Sequence, residues 1–270
     1  MRLLIFLIVI SSSQVFSAGG NCGVYLSEEG GEKGVCDNVD IDHLDLPSLQ
    51  RGVKLYMNYC FGCHSLEYAR YNRVAADLGI PDNLFMDNLV FGDQKPGDLM
   101  TISMKSEDSE QWFGVPPPDL TLVTSLRSSE WFYTYLKSFY VDNSRPLGVN
   151  NKVYENVGMP NVLVNLQGVQ RSVCKLVPEK SKNSGLKQDP LTGEIIYIEK
   201  CGFLEVDSNS GELDEESFNE NLRDLTNFLA YMADPIKSER ESLGVYVILY
   251  LILFTIFSYL LYREFKKEVH

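Results

Sequence analysis

The chain has 270 residues, 37 of them acidic against 24 Lys and Arg, with a formal net charge of −13. That length accommodates one sizeable domain or two small ones. So acidic a balance argues against nucleic acid and anionic lipid as partners of the soluble part, and suits a partner that is basic.

Met1-Arg2, an unbroken apolar run from Leu3 to Ile10 and the small residues Ser17-Ala18-Gly19 make residues 1–18 a secretory signal peptide. Eight apolar residues are too few to cross a bilayer; the alternative is a buried N-terminal helix. Residues 19–240 then form a domain outside the cytoplasmic membrane, where thiols oxidise. A Gly- and Glu-rich stretch carrying Cys22 and Cys36 comes next. These two admit a bridge, but a lipid-bearing or free Cys22 fits the residues too.

Asp45-Leu46-Pro47-Ser48 supplies a cap and an early proline, and Leu49, Val53, Tyr56 and Met57 recur at helical spacing as far as Cys60. The first helix therefore delivers Cys60-Phe61-Gly62-Cys63-His64. C-x-x-C-H is the attachment signature of a c-type haem. Each thiol adds to one vinyl group, the gap spaces the sulfurs by about one helical turn, and the imidazole is the usual proximal iron ligand. Two other readings compete. Half a zinc site would want two further thiolates or imidazoles in a similar pair, and the remaining Cys and His are scattered. A thioredoxin-type redox pair would sit on a βαβ pattern, and none is visible.

Acidic clusters follow at Asp82, Asp87, Asp93 and Asp98 and at Glu107, Asp108 and Glu110, in loops that run to Pro116-Pro117-Pro118. Complementary charge would speed encounters with a basic partner; the plainer alternative is that these residues only keep the domain soluble. A second helix is expected over Ser129–Phe139, with Phe132, Leu136 and Phe139 on one face. Cys174 and Cys201 flank a hairpin signal, Leu191-Thr192-Gly193-Glu194 followed by Ile195-Ile196-Tyr197-Ile198, and a bridge closing that loop would stabilise by about 3–4 kcal/mol. A third helix spans Glu220–Ala233, with Leu222, Leu225, Phe228, Leu229 and Met232 as its apolar stripe and Pro235 as its stop. Few strands are evident. The fold class is mainly α: short helices and long loops around a cofactor, by analogy with c-type cytochromes.

Leu243–Tyr262 runs twenty residues without a charge, enough for one transmembrane helix. Tyr246, Tyr259 and Tyr262 suit its interfaces, and Arg263, Lys266 and Lys267 place residues 263–270 on the cytoplasmic side. Lys237 and Arg240 weaken that charge argument, so orientation rests mainly on the signal peptide.

The second axial position decides the chemistry: an open one allows ligand or peroxide reactions, and a thioether gives a closed electron carrier. His43 and His270 are poorly placed for it. Met57 and Met232 fall on helical stripes, where a core role fits better. Met86, Met100, Met104 and Met159 remain, and any loop methionine could serve. Met159 precedes Pro160, which holds it extended, and follows Gly158, which permits close approach to the ring.

The run Ser48–Val74 (SLQRGVKLYMNYCFGCHSLEYARYNRV), together with Pro117-Pro118-Asp119-Leu120-Thr121, Gly158-Met159-Pro160 and Leu225–Pro235 leading to one anchor, resembles the cytochrome c1 family in its bacterial style. This is the haem subunit of the cytochrome bc1 complex, and the resemblance covers most of the chain from Ile41 onward. It implies one covalent haem c on Cys60 and Cys63, iron ligation by His64 and Met159, and a haem-propionate contact from Arg127, whose alternative is an ordinary solvated arginine. It also implies a Cys174–Cys201 bridge of the kind some bacterial members have. The implied function is single-electron relay from the Rieske iron–sulfur protein to a basic c-type cytochrome, beside cytochrome b, on the periplasmic face of the inner membrane. The subunit would serve quinol–cytochrome c reductase with no bond-making catalysis of its own. Alternatives are an anchored cytochrome c serving an oxidase or denitrification pathway, or a haem peroxidase or sensor.

Overall fold

The computed structural model describes Cys22, residues 35–179 and residues 185–268. The signal-peptide expectation and His270 lie outside the described residues. The chain divides into two units, one ending at Ala233 and the other beginning at Asp234.

The first unit is organised by two helices, α1 (Leu46–Leu55) and one called α8 below (Glu215–Ala233). The α1 start matches the expected cap: Asp45 accepts from the Ser48 amide, with Pro47 in the first turn. Leu49 and Val53 are buried against Leu222, Leu225, Phe228 and Leu229. The two backbones approach so closely that a Cβ on Gly52 would lie 2.2 Å from the Asp224 carbonyl oxygen. The long helix begins five residues before the expected Glu220. Asp214 caps it, accepting from Ser217 N at 2.8 Å, and Glu215 and Glu216 favour the positive end of its dipole.

After α1 the winding widens into a π-helical turn, Tyr56–Cys60. Strand β1 (Leu66–Arg70) follows and pairs with β2 (Leu99–Met100). Helix α2 (Tyr71–Asp77) comes next, and α3 (Asp82–Leu89) and α4 (Ser106–Phe113) occupy the segment read from sequence as acidic loops. They are short, and their periodicity is drowned by polar residues. Then come α5 (Val123–Arg127) and α6 (Ser129–Lys137), the latter capped by Ser128 accepting from Trp131 N. Phe139 leaves that helix early: it is the first residue of β3 (Phe139–Val141), which pairs antiparallel with β4 (Val149–Asn151). One turn, α7 (Val164–Gln167), precedes the longest strands, β5 (Gln170–Pro178) and β6 (Tyr197–Val206). These form a hairpin in which Cys174 faces and bridges Cys201. The described residues thus hold three two-stranded sheets, more strand than the sequence advertised, around a mostly helical domain.

Cys22 is bridged to Cys36 and completely buried, which settles the alternatives left open for that pair. The second unit is one helix, α9 (Lys237–Glu268). Its apolar stretch, Leu243–Tyr262, presents apolar side chains on all sides, a surface suited to lipid and not to water.

Candidate haem-binding site

The π-helical turn ends in the C-x-x-C-H motif. Phe61 N bonds back to Tyr56 O at 2.9 Å, and His64 N to Cys60 O at 2.9 Å, so the five residues form a compact turn. Cys60 is buried, Cys63 half-buried, and neither is in a disulfide. Burial, with Cys63 adding to it, pushes the Cys60 thiol up to about 12; burial raises Cys63 as well.

His64 is buried, and its Nδ1 lies 2.7 Å from the Pro118 carbonyl oxygen. A proline carbonyl can only accept, so Nδ1 carries the hydrogen and Nε2 keeps its lone pair. Burial lowers the imidazole's affinity for a proton, against the smaller opposite pulls of the Pro118 carbonyl and Asp119. A neutral ring oriented by a carbonyl is the form that ligates iron. The motif is pinned on several sides. Tyr56 donates to the His64 carbonyl at 2.6 Å, Leu120 N to Ser65 O at 3.0 Å, and Glu67 N to the Asp119 carboxylate at 2.7 Å. The Pro117–Thr121 segment is therefore the second half of the His64 mount, a role its sequence does not declare.

The other expected residues form a second group. Arg127, exposed at the end of α5, lies over the Trp131 ring at 5.2 Å. Trp131 stacks on Tyr135, with centroids 5.0 Å apart and planes 7° from parallel. The Tyr135 hydroxyl donates to the Met159 sulfur at 3.4 Å. Met159 is half-buried against the main core cluster, which also contains Cys60. Its loop is held by Arg145 donating to Asn156 O at 3.1 Å and by Asn150 Oδ1 accepting from Asn156 N at 2.9 Å. A Cβ on Gly158 would fall 2.8 Å from the Phe113 carbonyl oxygen, so the close approach this glycine permits here is to the end of α4. Of the other methionines, Met57, Met100 and Met232 are buried in the core, and Met86 packs against it from α3.

The donor set fits a covalent haem: two unbridged thiols separated by Phe61 and Gly62, an imidazole with a free Nε2, and a thioether on a braced loop. Tyr71 is buried edge-on to Phe61, and its hydroxyl has no hydrogen-bond partner among the described residues. A cofactor with a polar margin would satisfy that group. Among the described residues no cluster of three or more His, Cys, Asp or Glu is placed to hold a metal ion, so the zinc reading finds no further ligands.

The sequence matches the Cytochrome C1 family over residues 38–169 and 203–269. It is 47% identical over 245 residues to cytochrome c1 of Allochromatium vinosum, covering 91% of this chain and 93% of that one. The chain belongs to the cytochrome c1 family. Cytochrome c1 membership implies a covalent haem c and a place as electron carrier in the cytochrome bc1 complex. Two more distant relatives are a protein named ammonia monooxygenase gamma subunit from Nitrosomonas europaea (33% identity; 91% of this chain, 94% of that one) and cytochrome b/c1 of Bradyrhizobium diazoefficiens (26%; 84% and 34%). The family match omits residues 170–202, most of the disulfide-closed hairpin, and begins after Cys36.

Proposed function

We propose that this chain relays single electrons from a Rieske iron–sulfur protein to a basic c-type cytochrome, with its haem domain on the periplasmic side and residues 243–262 as its anchor. The observation that carries the reading is the mount of His64. Its Nδ1 is committed to Pro118 and its Nε2 is free, inside a C-x-x-C-H turn whose thiols are unbridged. Haem c, when bound, supplies one-electron chemistry by alternating ferric and ferrous iron.

The residues divide the remaining work. Cys60 and Cys63 would hold the porphyrin, His64 and Met159 the iron, and Arg127 a propionate. Pro118 fixes the tautomer and direction of His64. Tyr56, Leu66 and Leu120, buried around the motif, exclude water. The acidic surface draws in a positively charged acceptor. Residues 1–18 act as the export signal and 263–270 as the inner tail.

A reduced spectrum typical of a six-coordinate haem c, indifferent to carbon monoxide, is expected; rapid carbon monoxide binding would rule the carrier out. Met159→Leu should lower the midpoint potential sharply, and an unchanged potential removes Met159 from the ligand set. Mild purification from membranes should bring cytochrome b and a Rieske protein along. The name of the Nitrosomonas relative makes a monooxygenase among the companions the informative contrary result.

A further inference from the structure

We propose that Tyr135 is a positioning residue for Met159, its hydroxyl holding the thioether by an O–H···S bond from a wall that the Cys22–Cys36 bridge completes. This rests on the assignment of Met159 as an iron ligand. A thioether sulfur offers only a weak acceptor, so at 3.4 Å the phenol is the donor.

The donor is unusually constrained. Trp131, Tyr135 and Phe139 recur at intervals of four, which brings them to one side of α6 and its exit. The Tyr135 ring is stacked on Trp131 and meets Phe139 edge-on with centroids 5.2 Å apart. Its own backbone carbonyl accepts from Asn151 Nδ2 at 2.8 Å, and Asn151 Oδ1 in turn receives Val153 N and Tyr154 N. Cys22, buried, and Val153 form a second small core against which Cys36, Trp131, Tyr135 and Leu204 pack. The N-terminal disulfide lies before the segment matched to the family, yet it backs the two rings whose outer member touches Met159.

A hydrogen placed on the sulfur withdraws density from the lone pairs that ligate iron, and it sets the positive end of the O–H dipole toward the metal. Both effects oppose the ferric state and raise the potential. Tyr135→Phe removes only the hydroxyl and keeps the ring packing.

The test is redox titration and ferric absorption spectroscopy of the intact membrane complex, with Tyr135→Phe and Met159→Leu side by side. In Tyr135→Phe the ferrous-to-ferric ratio at fixed poise should fall about three- to tenfold, which is about 30–60 mV at 59 mV per decade. The sulfur-to-iron charge-transfer band should persist but move, and haem content should stay unchanged. If Met159→Leu shifts potential and band while Tyr135→Phe shifts neither, the role of Tyr135 is overturned and Met159 stands. If Met159→Leu shifts neither, the ligand assignment itself falls and the proposal with it. The wild-type protein gives a check independent of any variant. The iron–sulfur stretching band should shift between H2O and D2O, and an invariant band overturns the hydrogen bond.

Discussion

Asp224 is a carboxylate with no solvent exposure, facing an arginine that keeps half of its own. Ser48 Oγ donates to it at 2.6 Å and Arg51 Nε at 2.5 Å, with Arg51 Nη2 at 3.1 Å and Arg223 Nη2 at 3.3 Å. The two sides of this pair should respond differently to removal. Arg51→Ala leaves a buried charge without its main partner and should cost about 3 kcal/mol or more. Asp224→Asn keeps the shape and frees Arg51 to turn into water, so about 1–2 kcal/mol is expected. Thermal or urea unfolding of the two variants should give that order; equal losses would argue against it. At this scale the C-x-x-C-H motif was legible because covalent haem attachment demands a set order and spacing. Pro118, Trp131 and Tyr135 were not. Pro118 meets His64 across 54 positions, and Tyr135 meets Met159 only because the fold returns a loop to α6. No local pattern encodes such meetings.

The contact of α1 with α8 depends on a missing side chain. A Cβ at position 52 would meet the Asp224 carbonyl oxygen and stand 2.5 Å from the Phe228 Cβ. Neither neighbour is the end of a flexible chain, so the helices themselves must part. Gly52→Ala should therefore destabilise by about 1–3 kcal/mol, despite alanine's better helix propensity; a gain in melting temperature would refute the close crossing. Both helices were readable as apolar stripes, and Leu222, Leu225, Phe228, Leu229 and Met232 are all buried as that pattern requires. Their ends were less readable. Asp214 starts α8 early through a cap, and Phe139 continues the apolar face of α6 while already paired to Asn151 in β3. The hairpin announced itself at its tip: Asp189 N bonds to Glu194 O, and Gln188 bridges Ile195. The length of β5 did not, since its side chains are largely exposed and strand alternation without burial carries little signal.

At the scale of the molecule, α9 is long for its task. Thirty-two residues at about 1.5 Å each reach about 48 Å, against a hydrocarbon layer of about 30 Å. The uncharged twenty, Leu243–Tyr262, match that layer; as the proposed anchor they would leave the charged turns from Lys237 to Glu241 for the interface on one side and Arg263–Lys267 for the other. Ending the chain after Ser238 should release the haem domain into the soluble fraction with its reduced spectrum intact; a truncated protein that still pellets with membranes would show that other contacts hold it there. The long apolar helix was plain from composition, because twenty consecutive uncharged residues match the length a bilayer asks of a spanning helix. The acceptor was not, because charge complementarity names a sign and no partner.

The cysteines also impose an order of assembly. Cys22–Cys36 and Cys174–Cys201 are bridged, with Cys60 and Cys63 left between them. No pair interleaves with another. If the chain is exported N-terminus first, as the proposed signal requires, the first pair is complete before the haem motif emerges, and the nearest remaining thiol to Cys60 is Cys63. An oxidant that simply joined neighbours in order of appearance would build both structural bridges correctly and, by the same rule, seal the two sulfurs proposed to take the porphyrin. If the haem is attached as proposed, maturation becomes a race at one pair of atoms: reductant and haem would have to reach Cys60 and Cys63 before folding buries the first and slows its thiolate chemistry.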